Sequence, residues 1–169
     1  NSSGTGGYYL ATDRIHADRA IVGDIAELIL YNEDSATNRN KIESYLALKY
    51  GMTLVGTTTD YLDASGSSVY NYTGGYDNDV IGIAKDVNNN FDQRISSSVN
   101  AGSILTLSTD TNFTNANTTH TDALTDGQYL VIAHNGDALT AQTTELDTGL
   151  YGSRIGREWR AENTGTVGA

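Results

Sequence analysis

Two stretches carry oxygen donors at spacings that suit a hard cation. The run from Asp86 to Asp92, DVNNNFD, sets Asp86, Asn88, Asn90 and Asp92 at alternate positions. In a tight loop, oxygens at alternate positions all turn inward onto one Ca²⁺. The sixth position is Phe91, where an EF-hand loop has glycine, and the twelfth is Ser97, where it has glutamate. The run is therefore not an EF-hand, and an Asn/Asp-rich hairpin turn is the competing reading. Tyr76-Asp77-Asn78-Asp79 places three further donors, Asp77, Asn78 and Asp79, just ahead of a strand. These hold Ca²⁺ with help from backbone carbonyls, or they cap a turn. Asp110 with Asn112, and Asn135 with Asp137, repeat the pattern more weakly. Calcium is the one cofactor the sequence points to.

Other chemistry finds no set of residues. His16, His120 and His134 are scattered and are expected as surface or edge residues. The chain has no cysteine, no Gly-x-Ser-x-Gly elbow and no Glu-x-Asp-x-x-Glu strand of the kind that supplies paired glycosidase carboxylates. An enzyme is not expected. Arg154, Arg157, Glu158 and Arg160 surround Trp159, as a structural ion-pair network would. Eleven tyrosines offer rings that stack on sugars. Of these Tyr8, Tyr9, Tyr61, Tyr70, Tyr72 and Tyr76 lie in loop-like stretches, although tyrosine is also a common core-rim residue.

The net charge of −11, with no cluster of Lys and Arg, excludes a nucleic-acid backbone as partner. It disfavours anionic membranes and suits a Ca²⁺-rich extracellular setting. No apolar run approaches a membrane span, and no signal peptide is evident.

The elements that must position these residues are mostly short strands. One helix is predicted, over residues 36–50. Asp34 or Ser35 is its cap, Ile42, Tyr45, Leu46 and Lys49 form one face, and Gly51 is the left-handed stop. Residues 25–31, IAELILY, read as a strand before it, and residues 8–10 could start another. After the helix, residues 61–72 read as short extended pieces about Ser65-Gly66-Ser67. Residues 79–85 and 91–99 form a hairpin, and 103–108 is a further strand. Residues 109–126 are a long polar loop, 128–133 an apolar strand and 135–137 a tight turn. Residues 138–153 look irregular, and 154–163 are a strand with Trp159 inward.

The stretch 23–54 resembles the C-terminal end of concanavalin-A-like, laminin-G-like domains of large bacterial surface proteins. Gly23, Ile25-Ala26-Glu27, Tyr31-Asn32 and residues 42–51 carry the match, about a fifth of the chain. The pieces 76–83, 96–100, 127–131 and 154–166 resemble the β-rich region that trails such domains in RTX-type and similar secreted adhesins. Only 22 residues precede Gly23, fewer than a full laminin-G-like sandwich needs. The chain is thus a fragment, one part of an interrupted domain, or a smaller fold that reuses the ending.

The expected fold is mainly β: an antiparallel β-sandwich, concanavalin-A-like or split, carrying one helix at about 36–50. It forms a single domain over 1–169, with a laminin-G-like ending in 1–55 and a β-meander in 56–169. The resemblance implies a non-catalytic structural or presenting module of a bacterial cell-surface adhesin, calcium-stabilised, extracellular and monomeric. Its partners would be neighbouring domains of the same large protein. The alternative is a lectin-like module that takes a glycan.

Overall fold

Residues 78–86 and 128–134 are the longest strands among the described residues, and they pair with each other at the centre of a four-stranded sheet. In this computed structural model the described residues are 22–32, 36–54, 60–72, 74–147 and 149–167. The expected strand at 8–10, the helix caps Asp34 and Ser35, and His16, Tyr8 and Tyr9 lie outside them.

The chain divides into two units, residues 1–35 and 36–169. In the first, residues 25–31 form no strand, contrary to the reading of IAELILY. Ile25, Leu28, Leu30 and Tyr31 are each at least half exposed. Apolar β-formers make a strand only when another strand takes up their backbone groups, and no ladder among the described residues does so.

The second unit is mainly β and antiparallel, with one α-helix among the described residues, as expected. A 3-10 turn, Ala36–Asn38, leads into α1, Arg39–Tyr50. Then come β1 (Tyr61–Leu62), β2 (Ser68–Tyr70), β3 (Asn78–Asp86), β4 (Phe91–Gln93), β5 (Ile95–Ser97) and β6 (Thr106–Ser108). Next are β7 (Gln128–His134), β8 (Ala141–Gln142), β9 (Arg154–Ile155) and β10 (Trp159–Thr164). A four-stranded sheet runs in the order β10-β7-β3-β4, and β1–β2, β5–β6 and β8–β9 are two-stranded ribbons.

Strand alternation sorts the side chains of the sheet. On one face, Val80 and Ala84 of β3 join Tyr129, Val131 and Ala133 of β7. These pack with Ala47 and Leu48 of α1 and with Tyr61, Val69 and Tyr70 of the first ribbon. The helix buries Ser44, Ala47 and Leu48, one step round from the predicted Ile42–Leu46 face. The reason is close approach. Small residues at 44 and 47 let the helix sit against β3, where a Cβ on Gly82 would lie 3.0 Å from Leu48 Cδ2 and 3.2 Å from Val131 Cγ2. Ser44 also ties the helix to β1, since its hydroxyl accepts from Leu62 N at 3.0 Å. Gly51 ends the helix in the left-handed region, φ 62°, where a Cβ would overlap the Ser97 carbonyl oxygen.

The expected return strand 91–99 is cut at Arg94. β4 pairs with Ala84, Lys85 and Asp86, and then β5 leaves the sheet to pair with β6. That leaves the outer edge of β3 to other donors and acceptors. Val80 N donates to Thr53 Oγ1 and Gly82 N to Ser96 Oγ, both at 3.2 Å, so two hydroxyls stand where a strand's carbonyls would be. No helix among the described residues is long and apolar enough to cross a membrane.

Candidate functional site

The start of β3 holds the first expected ligand group. The β3–β7 register slips by one residue between Asn78 and Ile81, a bulge that bends the strand and re-aims a side chain. Asp79 sits in the slip with φ 50°, and its carboxylate turns toward the end of β7. Oδ1 accepts from Asn100 Nδ2 and Oδ2 from His134 Nε2, each at 2.9 Å. His134 Nδ1 accepts from Gly136 N at 2.9 Å, which fixes the tautomer with hydrogen on Nε2. Trp159 meets the imidazole edge-on, with ring centres 6.2 Å apart. Burial pushes the Asp79 carboxyl upward as the largest single influence. The hydrogen bonds from His134 and Asn100, with the positive charge of Arg157, outweigh it and hold the group below the usual carboxylate range. Asn78 Nδ2 donates to Asp77 Oδ1 at 3.0 Å and to the His134 carbonyl at 3.3 Å. Asp77, Asn78, Asp79, Asn100, Thr53 and Tyr72 line a cleft of about 190 Å³.

The second group, Asp86, Asn88, Asn90 and Asp92, is not brought together. Asp86 is 4% exposed, and its oxygens are spent. Oδ2 accepts from Tyr129 Oη at 2.7 Å and Ala64 N at 2.9 Å, while Oδ1 accepts from Asn88 N at 3.0 Å. Asn88 and Asn90 are exposed, and Asn90, φ 50°, closes the 3-10 turn Val87–Asn89. Asp92 pairs in register with Lys85, whereas Asp86 pairs with Phe91. Neighbours along a strand face opposite ways, so Asp86 and Asp92 lie on opposite faces of the sheet. Asp92 holds Arg94 by two bonds of 2.9 Å, and that bidentate guanidinium is the main reason its carboxyl titrates below the usual range. Alternate spacing converges on a cation in a loop; here the Asp ends of the run lie in strands.

Two histidines expected at the surface are buried: His120 is 2% and His134 4% exposed. His120 anchors the long polar loop. Its Nδ1 lies 2.9 Å from Asp110 Oδ1 and 3.2 Å from Ser108 Oγ, and its Nε2 lies 3.3 Å from the Asn115 carbonyl. A nucleophilic triad needs hydroxyl and carboxylate on opposite ring nitrogens. Here both meet the same nitrogen, so Ser108, His120 and Asp110 form a tie between loop and strand. The backbone N–H of Asn112, then that of Thr121 and the His120 ring, hold Asp110 below the usual carboxylate range against its desolvation. Asn117 adds a second tie. Its Oδ1 accepts from Arg94 N at 2.6 Å, and its Nδ2 donates to the Asp92 carbonyl at 2.6 Å.

The basic cluster around Trp159 is an ion-pair network. Arg154 reaches Glu158 at 2.9 Å and Glu145 at 3.1 Å, and Arg160 reaches Glu162 at 3.2 Å. The Arg160 guanidinium lies over Tyr70 and Tyr76, 4.9 and 5.5 Å from their ring centres. Of the tyrosines proposed for a sugar surface, Tyr61 and Tyr70 are core residues, 2% and 0% exposed. Burial drives the Tyr61 hydroxyl up to about 12. Tyr72 and Tyr76 are half-buried.

Sequence reasoning missed His120, His134, Asn117, Thr53 and Ser96. A lone histidine in a Thr/Asn-rich loop carries no local sign of burial, and hydroxyls that finish a sheet edge are set by register. The Asn-Gly after His134 marked a turn, but not the imidazole folded back over it.

Residues 38–169 match a family described as Domain of unknown function (DUF8202). No curated protein and no solved structure matches the chain. With 132 of its 169 residues inside that match, the chain belongs to the DUF8202 family.

Proposed function

We propose that this domain is a non-catalytic structural module of a bacterial cell-surface adhesin, one that supports or presents neighbouring domains of a larger protein outside the cell. One observation carries the reading. The groups able to do chemistry are spent as internal ties, with Asp79 on His134 and Asn100, Asp110 on His120, Asp86 on Tyr129, and Asp92 on Arg94. Such ties hold a shape, and among the described residues they leave no acid, base and nucleophile lining one open cleft. The adhesin setting draws its support from the resemblance of residues 23–54 and of the segments that follow. Calcium stiffening finds a foothold at Asp77, which lines the 190 Å³ cleft and whose Oδ2 accepts no hydrogen bond among the described residues.

The second reading, a lectin-like module, rests on the same cleft, because Tyr72 lines it beside Asp77 and Asn100. A glycan array probed with the purified chain, in millimolar Ca²⁺ and again with chelator, separates the two, with a thermal melt on both samples. The structural module binds no glycan. If calcium stiffens it, Tm falls in chelator, and Asp77→Asn abolishes the difference. Calcium-dependent glycan binding lost in Tyr72→Ala would replace the first reading with the second.

A further inference from the structure

We propose that the turn 134–137 is a self-modifying site, in which Asn135 cyclises onto the Gly136 nitrogen and becomes aspartate or isoaspartate. Asn135-Gly136 is the one Asn-Gly pair in the sequence, and three groups converge on the atoms that would react. The Gly136 N–H, the nucleophile, donates to His134 Nδ1 at 2.9 Å. That imidazole is backed at Nε2 by Asp79 Oδ2 at 2.9 Å. Carboxylate, imidazole and nucleophile thus stand in the order used to activate a serine, with a backbone amide in the serine's place.

The electrophile is prepared as well. Asn135 Oδ1 accepts from Asp137 N at 3.1 Å and Glu158 N at 3.2 Å. Two fixed backbone donors on the oxygen that gains charge make an oxyanion hole. Glycine at 136 serves twice: its φ is 83°, and a Cβ there would meet Asn78 Nδ2 at 2.9 Å.

The atoms balance without a redox partner. The Gly136 nitrogen bonds to Asn135 Cγ as its proton passes to His134 Nδ1, and the carbonyl electron pair moves onto Oδ1. Collapse re-forms the C=O bond and breaks the Cγ–Nδ2 bond, and the imidazolium's proton leaves with the departing ammonia. Water then opens the succinimide, adding hydroxyl to one carbonyl and hydrogen to the ring nitrogen. The product loses the amide hydrogens that Asn135 Nδ2 now gives to Asp137 Oδ2 at 2.9 Å and to the Gly156 carbonyl at 3.5 Å. It gains a carboxylate beside Asp137, so the hold of this turn on the segment after β9 weakens.

The test is to incubate the purified chain at neutral pH, folded and in denaturant, and to follow residue 135 by peptide mapping, isoaspartate labelling and hydroxylamine cleavage of the succinimide. A positioned base is worth ~10²–10⁴-fold, so the folded chain should convert at least about tenfold faster than the denatured one, and His134→Gln should erase the advantage. A folded rate equal to or below the denatured rate overturns the proposal. So does an unchanged rate in a His134→Gln protein that circular dichroism finds folded. If that variant does not fold, the comparison of folded and denatured wild-type chain decides alone.

Discussion

At the scale of single residues, the molecule is held by charges placed where water does not reach. Asp86 is the clearest case: a carboxylate at 4% exposure whose three donors come from β7, the segment after β1 and its own turn. A buried acceptor deprived of one donor keeps its desolvation cost. Tyr129→Phe should therefore lower stability by about 1–3 kcal/mol, seen as a shift of the urea midpoint with unchanged m. Burial and the Asp86 charge raise the Tyr129 hydroxyl far beyond its ordinary range, so the bond does not titrate away in neutral or moderately alkaline buffer.

At the scale of elements, close approach governs. α1 rests on β3 because Ser44, Ala47 and Gly82 are small. Gly82→Val would push branched carbons toward Leu48 and Val131 and should cost about 1–3 kcal/mol by overpacking. The fall should appear in the same urea titration, with the far-UV spectrum kept below the midpoint. Gly51→Ala combines a left-handed φ with overlap on the Ser97 carbonyl and should destabilise by more than the roughly 1–2 kcal/mol of the conformation alone. These elements also mark what the sequence makes legible. The end of the helix was readable because Gly51 is a local signal, and β3 and β7 because their apolar runs exceed any competing pattern. Which helix side is buried was not readable, because it depends on a glycine some thirty residues away. Nor was the break at Arg94, where the chain changes partner, β4 pairing with β3 and β5 with β6. Residues 25–31 show the opposite failure, a strong local preference for strand that no ladder among the described residues takes up.

At the scale of the whole molecule, acid is the natural stress. Asp92 titrates low chiefly because Arg94 bonds it, and Asp110 chiefly because the Asn112 N–H does. Both folded values lie below the ordinary 3.8, so the unfolded chain takes up these protons first. Their contribution is complete above about pH 4–5 and is lost as pH falls through the folded values. Thermal melts should accordingly be flat in this respect from pH 5 to 7 and drop below pH 4. A Tm that stays level to pH 2 would contradict the structural weight given to these ties. The candidate site was legible only as composition. The sequence names the Asp and Asn residues, but their partners lie far along the chain, His134 being 55 residues from Asp79, and no periodicity reports such a pairing.

The contact between Trp159 and His134 makes the protein its own optical probe. The chain has one tryptophan, and its indole meets the imidazole at the corner where β3, β7 and β10 converge. Intrinsic emission is thus a single-position signal from that corner, while far-UV circular dichroism averages the sheet and helix. If the two melting curves superimpose, corner and sheet unfold as one cooperative unit. If emission changes first, the corner opens alone, and the light from one ring would time that event.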